Sequence, residues 1–407
     1  MLFQSIEELL REASLRNASD LHLAFNTPPI YRVNGMLETA GDQPLTAEEV
    51  RDLCYQLLTP RHREVLEERK SVDLAVSFTG AGRFRVNIYY QKGYLTGAIR
   101  RLADDIPGLE ALGLPPAASH LSDMKMGLVL VTGATGSGKS TTLASLINLI
   151  NATSRRNIIT IEDPIEYVHF NKESLINQRE LHTDVPSFPD ALRGALRADP
   201  DVILVGEMRD LDTIRTAIMA AETGHLVFST LHSRDATSSI TRMIGVFTPE
   251  EQMQIRQQLS VSLKAVISQQ LLTRADKAGR VLASEFMLVT PAISNLIRLG
   301  KQEHIYMSLE TGSKLGMQTM EQSLIELYKA GLIDQETALR SAKSPSLIEE
   351  RLGSREAEKP GAGPGSNAGV KPGARAGTKP GVRPAASPGA RTGVNPTVKV
   401  LRQGGAR

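Results

Sequence analysis

The residues with the clearest capacity for chemistry lie at positions 133–140, where glycines recur ahead of a lysine and a serine. In order they are Gly133, Ala134, Thr135, Gly136, Ser137, Gly138, Lys139 and Ser140. An apolar run at 127–131 precedes them, and apolar residues at 143, 146, 147 and 150 follow with helical spacing. This pattern, between a strand and a helix, is typical of a P-loop that binds polyphosphate with backbone N–H groups and a helix N-terminus. A glycine-rich turn without a ligand is the alternative, and the flanking elements argue against it.

Two polar side chains of this segment have expected roles at bound ATP. The Lys139 ammonium is expected to reach the β- and γ-phosphates, and the Ser140 hydroxyl to ligate Mg²⁺. A carboxylate, Glu207, follows another apolar run at 201–205. Because parallel strands end at one edge of a sheet, Glu207 is expected to act on the metal through water. A strand-end carboxylate can instead cap a helix, a role that Asp210 or Asp212 could fill.

A second acidic segment, Glu162-Asp163-Pro164-Ile165-Glu166, follows the apolar run at 157–161. Proline disfavours helix at the preceding residue, so the chain is expected to turn outward there. One carboxylate would then face the phosphates and orient the attacking water. Local geometry does not separate Glu162 from Glu166, and a solvated acidic loop is the alternative.

Two histidines, His225 and His232, flank a further apolar run at 226–230. Seven residues of strand separate their rings by roughly 20 Å, so the two cannot share a metal ion. Only His232 falls at the carboxyl end of that strand, where it could sense the nucleotide.

These apolar runs alternate with helical patterns, which indicates an α/β domain with a mostly parallel sheet covered on both faces. This ATPase domain is expected at 122–345. A small α+β domain is predicted at 1–105 from short alternating segments, followed by a Pro- and Gly-rich linker at 106–121. Residues 346–407 are predicted to be a disordered tail, because their Gly, Pro, Ala and basic composition offers no apolar core.

Charge and composition narrow the possible partners. The 407-residue chain has a net charge of +2, yet residues 351–407 contain 11 Lys and Arg against 2 Asp and Glu. The tail could therefore bind an anionic membrane peripherally or bind nucleic acid, or simply be solvated. Nucleic-acid translocation is not expected, since the remainder is acidic and only 8 Tyr and 9 Phe are available for stacking. One cysteine, no export signal and no bilayer-length apolar run indicate a cytoplasmic protein.

Four segments occur in the order and spacing of the sequence boxes of the secretion ATPase superfamily. They are residues 133–141, 161–166, 206–209 and 223–232. Over about residues 1–345 the sequence resembles this superfamily, and most closely its type IV pilus retraction ATPases. The resemblance implies a RecA-like P-loop domain after a PAS-like first domain. It also implies that Thr141 belongs to the nucleotide site, that Glu166 is the catalytic glutamate and Glu207 the Walker B glutamate, and that His225 and His232 form the His box.

The same resemblance implies an ATP-hydrolysing homohexamer that drives pilus retraction. Arginines of the first domain would reach the nucleotide, with Arg32, Arg85 and Arg100 as candidates. The motor would act on a platform protein at the cytoplasmic face of the inner membrane, and only indirectly on pilin. Two alternatives stay open: an accessory retraction ATPase or another secretion motor, and a nucleotide-gated scaffold that does not hydrolyse ATP.

Two departures from the superfamily bear on these alternatives. Retraction ATPases have the motif Ala-Ile-Arg-Asn-Leu-Ile-Arg, whereas residues 292–298 of this chain have Ser294 in place of the first arginine. This change favours the accessory alternative. Extension and type II secretion ATPases have an insert with four zinc-binding cysteines, and the single Cys54 argues against those branches.

Overall fold

The computed structural model describes residues 5–102 and 105–356, with side chains as far as residue 351. Two β-sheets with surrounding helices make up these residues. In chain order the elements are α1 (Ile6–Leu15), β1 (Asp20–Leu23), β2 (Ile30–Val33), β3 (Met36–Thr39), α2 (Ala47–Tyr55), α3 (Pro60–Arg69), β4 (Ser71–Phe78), β5 (Gly82–Gln91), β6 (Tyr94–Arg101), β7 (Gly127–Gly133), α4 (Lys139–Thr153), β8 (Asn157–Glu162), β9 (Leu175–Glu180), α5 (Phe188–Ala195), β10 (Val202–Val205), α6 (Leu211–Glu222), β11 (Leu226–Leu231), α7 (Ala236–Gly245), α8 (Pro249–Ser262), β12 (Leu263–Thr273), β13 (Arg280–Leu288), α9 (Pro291–Arg298), α10 (Ile305–Glu310), α11 (Met320–Lys329), α12 (Gln335–Ser341) and α13 (Pro345–Glu356). None of the helices within these ranges is long and apolar enough to cross a bilayer.

The first sheet has six antiparallel strands in the order β3-β2-β1-β6-β5-β4. Alternation along β5 buries Phe84, Val86 and Ile88 on the face that also holds the buried side chains of α1 and α2. Residues 83, 85 and 87 therefore point to the other face, since side chains alternate along a strand. The predicted small α+β unit thus has one packed face and one face available for contacts with the rest of the chain.

The second sheet has seven strands in the order β13-β12-β7-β11-β10-β8-β9. Its strands are parallel except β13, which runs antiparallel to β12. Every residue of β7, β10 and β11 is buried, because helices cover both faces. Helix α4 packs on one face, and α5 to α10 pack on the other. The predicted mostly parallel sheet is confirmed.

The C-terminal helices change the predicted start of the tail. Helix α13 covers residues 346–356, which the composition had placed in a disordered tail. Ile348 is fully buried beside Leu324, Ile325 and Ala338, so this stretch has the apolar anchor that a folded segment needs. The remaining predicted tail, residues 357–407, lies outside the described residues.

The predicted linker at 106–121 contains two short 3₁₀ helices, Leu109–Leu112 and Pro116–Asp123. Ala118 and Leu121 are fully buried there, in the same apolar cluster as Leu146 and Ile147 of α4. The segment therefore covers the P-loop helix instead of crossing open solvent. The domain boundaries at 105 and 121 stay predictions.

Candidate nucleotide site

A cavity of about 410 Å³ lies where the carboxyl ends of β8, β10 and β11 meet the start of α4. Five segments supply its polar side chains. These are Thr135, Lys139 and Ser140 of the P-loop, Thr160 and Glu162 of β8 with Asp163, Glu166, Tyr167 and His169 after it, Glu207 and Arg209 after β10, Thr230 and His232 at the end of β11, and Arg85 of β5. Because the strands are parallel, segments far apart in sequence converge at this edge.

The backbone of the P-loop requires glycine at two positions. Gly133 has φ 146° and Gly138 has φ 91°, both in the region that side chains rarely adopt. A Cβ on Gly133 would lie 2.4 Å from Ser137 Oγ and 2.5 Å from the Gln269 carbonyl oxygen. Helix α4 begins at Lys139, so its N-terminus faces the loop.

The loop separates two cavities. Gly133, Ala134 and Ser137 line a neighbouring cavity of about 930 Å³, and Thr135 and Gly136 line both. Thr141 lines neither of the two; its hydroxyl lies 2.9 Å from the Tyr167 hydroxyl.

Lys139 is held at the centre of the loop. Its Nζ donates hydrogen bonds to the carbonyl oxygens of Gly133 (3.0 Å) and Ala134 (2.9 Å), and the residue is 9% exposed. Burial lowers the pKa of Lys139, while the carboxylates of Glu166 and Glu207 act to raise it. The Lys139 ammonium is thus held by two backbone carbonyl oxygens of the loop and interacts electrostatically with both carboxylates.

The structure separates the two glutamates that the sequence left as alternatives. Glu162 accepts hydrogen bonds from Thr160 Oγ1 (2.6 Å) and Gln178 Nε2 (3.1 Å), and burial raises its pKa. Within the described ranges, the Glu166 carboxylate has no hydrogen-bond partner in the protein, and it lines the cavity. The Glu162 carboxylate is therefore engaged by strands β8 and β9, whereas the Glu166 carboxylate is available to a water molecule.

Glu207 occupies the strand end expected from the sequence. Its carboxylate lies 2.7 Å from Arg209 Nε and 3.6 Å from His232 Nε2. Burial and then the Lys139 charge lower the pKa of His232, and Glu207 opposes them. The capping role falls to Asp210, whose carboxylate accepts from the Thr213 backbone N–H at the start of α6 (2.8 Å). Glu207 is thus left facing the cavity.

The two histidines lie at opposite ends of β11. His232 lines the cavity, whereas the ring of His225 lies 3.0 Å from the Ala220 carbonyl oxygen at the far end of the strand. Of these two histidines, His232 is the one placed to sense a ligand in this cavity.

The three candidate arginines share one row across the first sheet. Arg85 pairs with Arg100, Arg100 with Asp20, and Asp20 with Arg32, so all four side chains share a face. Arg85 lines the cavity. Arg100 Nε donates to Asp20 (2.9 Å), and Arg32 Nε lies 3.8 Å from the same carboxylate. Although burial acts to raise the pKa of Asp20, hydrogen bonds from Ser19 and Arg100 hold it below its usual value. Arg32 and Arg100 do not line the cavity of their own chain.

Two lining residues, Tyr167 and His169, were not expected from the sequence. The Tyr167 hydroxyl contacts Thr141, and the His169 backbone N–H donates to Gln178 Oε1 (2.7 Å). Burial lowers the pKa of His169 to about 4, and its buried Nδ1 has no hydrogen-bond partner among the residues that the structure describes. These two residues belong to no known sequence motif. Only their positions, one and three residues after Glu166, could have indicated that they line the cavity.

His169 should make stability depend on pH. Because its pKa is about 4 in the folded chain and 6.5 as the reference value, the unfolded chain binds the proton first as pH falls. The free energy of unfolding should therefore decrease as pH drops below about 6.5, by about 1 kcal/mol near pH 5.5 from this residue. Urea denaturation of wild type and His169→Gln at several pH values measures it. An equal pH dependence in both proteins would contradict the assignment.

Comparisons with known proteins identify the family of this chain. The sequence profile of the type II/IV secretion system protein family matches residues 1–340. The chain is 47% identical over 340 residues to the type IV pilus retraction ATPase PilT of Pseudomonas aeruginosa, covering 84% of this chain and 98% of that protein. It is 46% identical over 341 residues to a twitching motility protein of Neisseria gonorrhoeae, covering 84% of this chain and 91% of the relative.

A solved structure gives the same result for the fold. The crystal structure of the pilus retraction motor PilT with bound ADP matches with a TM-score of 0.81 at 47% identity, covering 86% of this chain and 100% of that one. Since the family profile spans most of the chain and these relatives match nearly end to end, this chain belongs to the type II/IV secretion system protein family.

Proposed function

We propose that this chain is the ATPase motor of type IV pilus retraction. The observation that carries the proposal is one cavity that contains Lys139, Ser140, Glu166, Glu207 and Arg85 together. Phosphoryl transfer needs this combination: cations for the phosphates, and a carboxylate for the attacking water. The relatives named as retraction ATPases supply the biological setting.

The residues also fit Mg²⁺. Ser140 and Glu207 offer the oxygen donors that this ion prefers, and Mg²⁺ usually keeps several waters and takes its other ligands from substrate phosphates. When bound, the ion would neutralise developing charge on the phosphates. In this scheme Ser140 would hold the ion directly and Glu207 through water, Lys139 would bind the β- and γ-phosphates, and Glu166 would orient the attacking water.

The motor would work as a homohexameric ring. Arg85 already reaches the cavity of its own chain, whereas Arg32 and Arg100 lie farther along the same row and are paired with Asp20. In a ring they would serve the nucleotide of a neighbouring subunit. The ring would act on a platform protein at the cytoplasmic face of the inner membrane, and on pilin only indirectly.

Purified full-length protein and a deletion strain test this function. The protein should form closed rings in solution and release phosphate from ATP, and a strain without it should assemble pili but fail to withdraw them. Protein that binds nucleotide without releasing phosphate would favour the scaffold alternative. Protein that neither forms rings nor consumes ATP would contradict the motor.

One observation favours an accessory retraction ATPase as the second candidate. Ser294 replaces an arginine of the retraction motif, and its hydroxyl donates to the Ser260 carbonyl oxygen (2.6 Å), which anchors it between α8 and α9. A main motor should restore retraction by itself in a strain lacking all retraction ATPases. An accessory one should restore it only together with a partner ATPase.

A further inference from the structure

One buried ion pair connects strand β5 of the first sheet to the second sheet. Arg83 Nη2 lies 2.7 Å from Glu180 Oε2, and the two side chains are 18% and 9% exposed. The same guanidinium donates through Nε to the Ile165 carbonyl oxygen (2.9 Å) and through Nη1 to Ser77 Oγ on β4 (3.2 Å). Arg83 is therefore fixed to its own sheet and to the loop after β8 at once.

The pair holds the backbone directly before Glu166. Glu180 Oε2 accepts the Ile165 backbone N–H (3.2 Å) while Arg83 donates to the carbonyl oxygen of the same residue. Both polar backbone groups of Ile165 are thus satisfied by the pair. Burial raises the pKa of Glu180, and the Ile165 hydrogen bond and the Arg83 charge oppose that rise. The loop position beside Glu166 depends on both partners.

The same pair also fixes the position of Arg85. Arg83 and Arg85 are two residues apart on β5, so they share a face and stand roughly 7 Å apart. Arg85 lines the nucleotide cavity, whereas Arg83 and Glu180 do not. A single contact outside the cavity therefore sets both the Glu166 loop and Arg85 relative to the nucleotide.

We propose that Arg83 and Glu180 form a positioning pair that brings Glu166 and Arg85 into register for hydrolysis. This inference rests on the proposed ATPase function and deepens it. Neither residue lines the cavity, so the pair should affect the hydrolysis step more than binding. It should also make hydrolysis depend on the first sheet being seated against the loop after β8.

Steady-state kinetics on the full-length protein test the pair. Arg83→Gln and Glu180→Gln should each lower kcat by about 10- to 100-fold, because misplacement of a catalytic group by about 1 Å has effects of this size. The KM for ATP and the affinity for a fluorescent ADP analogue should change less than about threefold, since no nucleotide contact is lost. Arg83→Lys should keep more activity than Arg83→Gln, because it keeps the charge.

The kcat of the double variant tests whether Arg83 and Glu180 act together. If the residues act as a unit, Arg83→Gln with Glu180→Gln should be no slower than the slower single variant. Arg155→Gln is the matched control, because it removes an exposed pair with Glu173 near the same loop and should leave kcat unchanged.

Several outcomes would contradict the proposal that Arg83 and Glu180 form a positioning pair. They are a kcat within about twofold of wild type in Arg83→Gln, a KM that rises as much as kcat falls, or single effects that multiply in the double variant. If Arg83→Gln does not fold, Arg83→Lys and the isosteric Glu180→Gln decide by the same criteria. Wild-type protein that releases no phosphate would contradict the proposed function itself, a result distinct from failure of the pair.

Discussion

Replacing Lys139 with alanine is expected to abolish ATP turnover while leaving the fold intact. The Lys139 ammonium is held at the P-loop, where it donates hydrogen bonds to the carbonyl oxygens of Gly133 and Ala134. It also interacts electrostatically with the carboxylates of Glu166 and Glu207. Loss of one preorganised charge at a transferring phosphoryl group costs about 10²- to 10³-fold in rate or more. Phosphate release at saturating ATP measures the effect, and thermal unfolding checks the fold.

Lys125→Ala is the matched control for this variant. Lys125 is exposed, just ahead of strand β7, and does not line the cavity. It should therefore turn over ATP at the wild-type rate. Normal ATP turnover by Lys139→Ala would contradict the assignment of residues 133–140 as a P-loop, and with it the proposed ATPase function.

The second large effect is expected from Glu166→Gln, which should slow hydrolysis by about 10²- to 10⁴-fold, the usual contribution of a positioned acid or base. The amide keeps the shape of the side chain but accepts a proton from water poorly. Nucleotide affinity should be close to wild type, because the proposed role of Glu166 is to orient the attacking water and not to bind the nucleotide. Single-turnover phosphate release, together with equilibrium binding of a fluorescent ATP analogue, separates the two quantities.

Glu173→Gln controls for a loss of charge in the same loop. Its carboxylate is exposed and pairs with Arg155 (3.2 Å), away from the cavity, so its hydrolysis rate should match wild type. If Glu166→Gln lost binding and hydrolysis to the same extent, the carboxylate would have a structural role instead.

The central sheet could be predicted because its strands are buried on both faces. Strands β7, β8, β10 and β11 are short runs of apolar residues between helical patterns, so their length and their flanking segments identify them. Strand β12 gave no such signal, because it contains polar residues such as Gln269 and follows α8 without a turn. Gln269 is nevertheless buried, since its Nε2 donates to Thr142 Oγ1 of α4 (2.7 Å), a contact between residues 127 positions apart.

Prediction of the site from the sequence was limited in the same way, by contacts between distant segments. The sequence placed the P-loop and Glu207 because each follows a strand directly. Local patterns, without the family resemblance, could not choose between Glu162 and Glu166, since the choice depends on Gln178, which belongs to another strand. The sequence also grouped Arg32 and Arg100 with Arg85, although Asp20 holds the first two away from the cavity of their own chain. Contacts between distant segments decide these cases, and local patterns do not contain them.

The position of β7 in its sheet bears on how mechanical work could arise. This strand is hydrogen-bonded on one side to β11 and on the other to β12, and the P-loop follows it directly. Displacing the P-loop would require breaking backbone hydrogen bonds between β7 and both of its neighbouring strands. The P-loop is therefore expected to be a rigid part of the molecule. In the proposed motor, a change of shape would then be expected where the first sheet meets the cavity, at Arg85, and not at the P-loop.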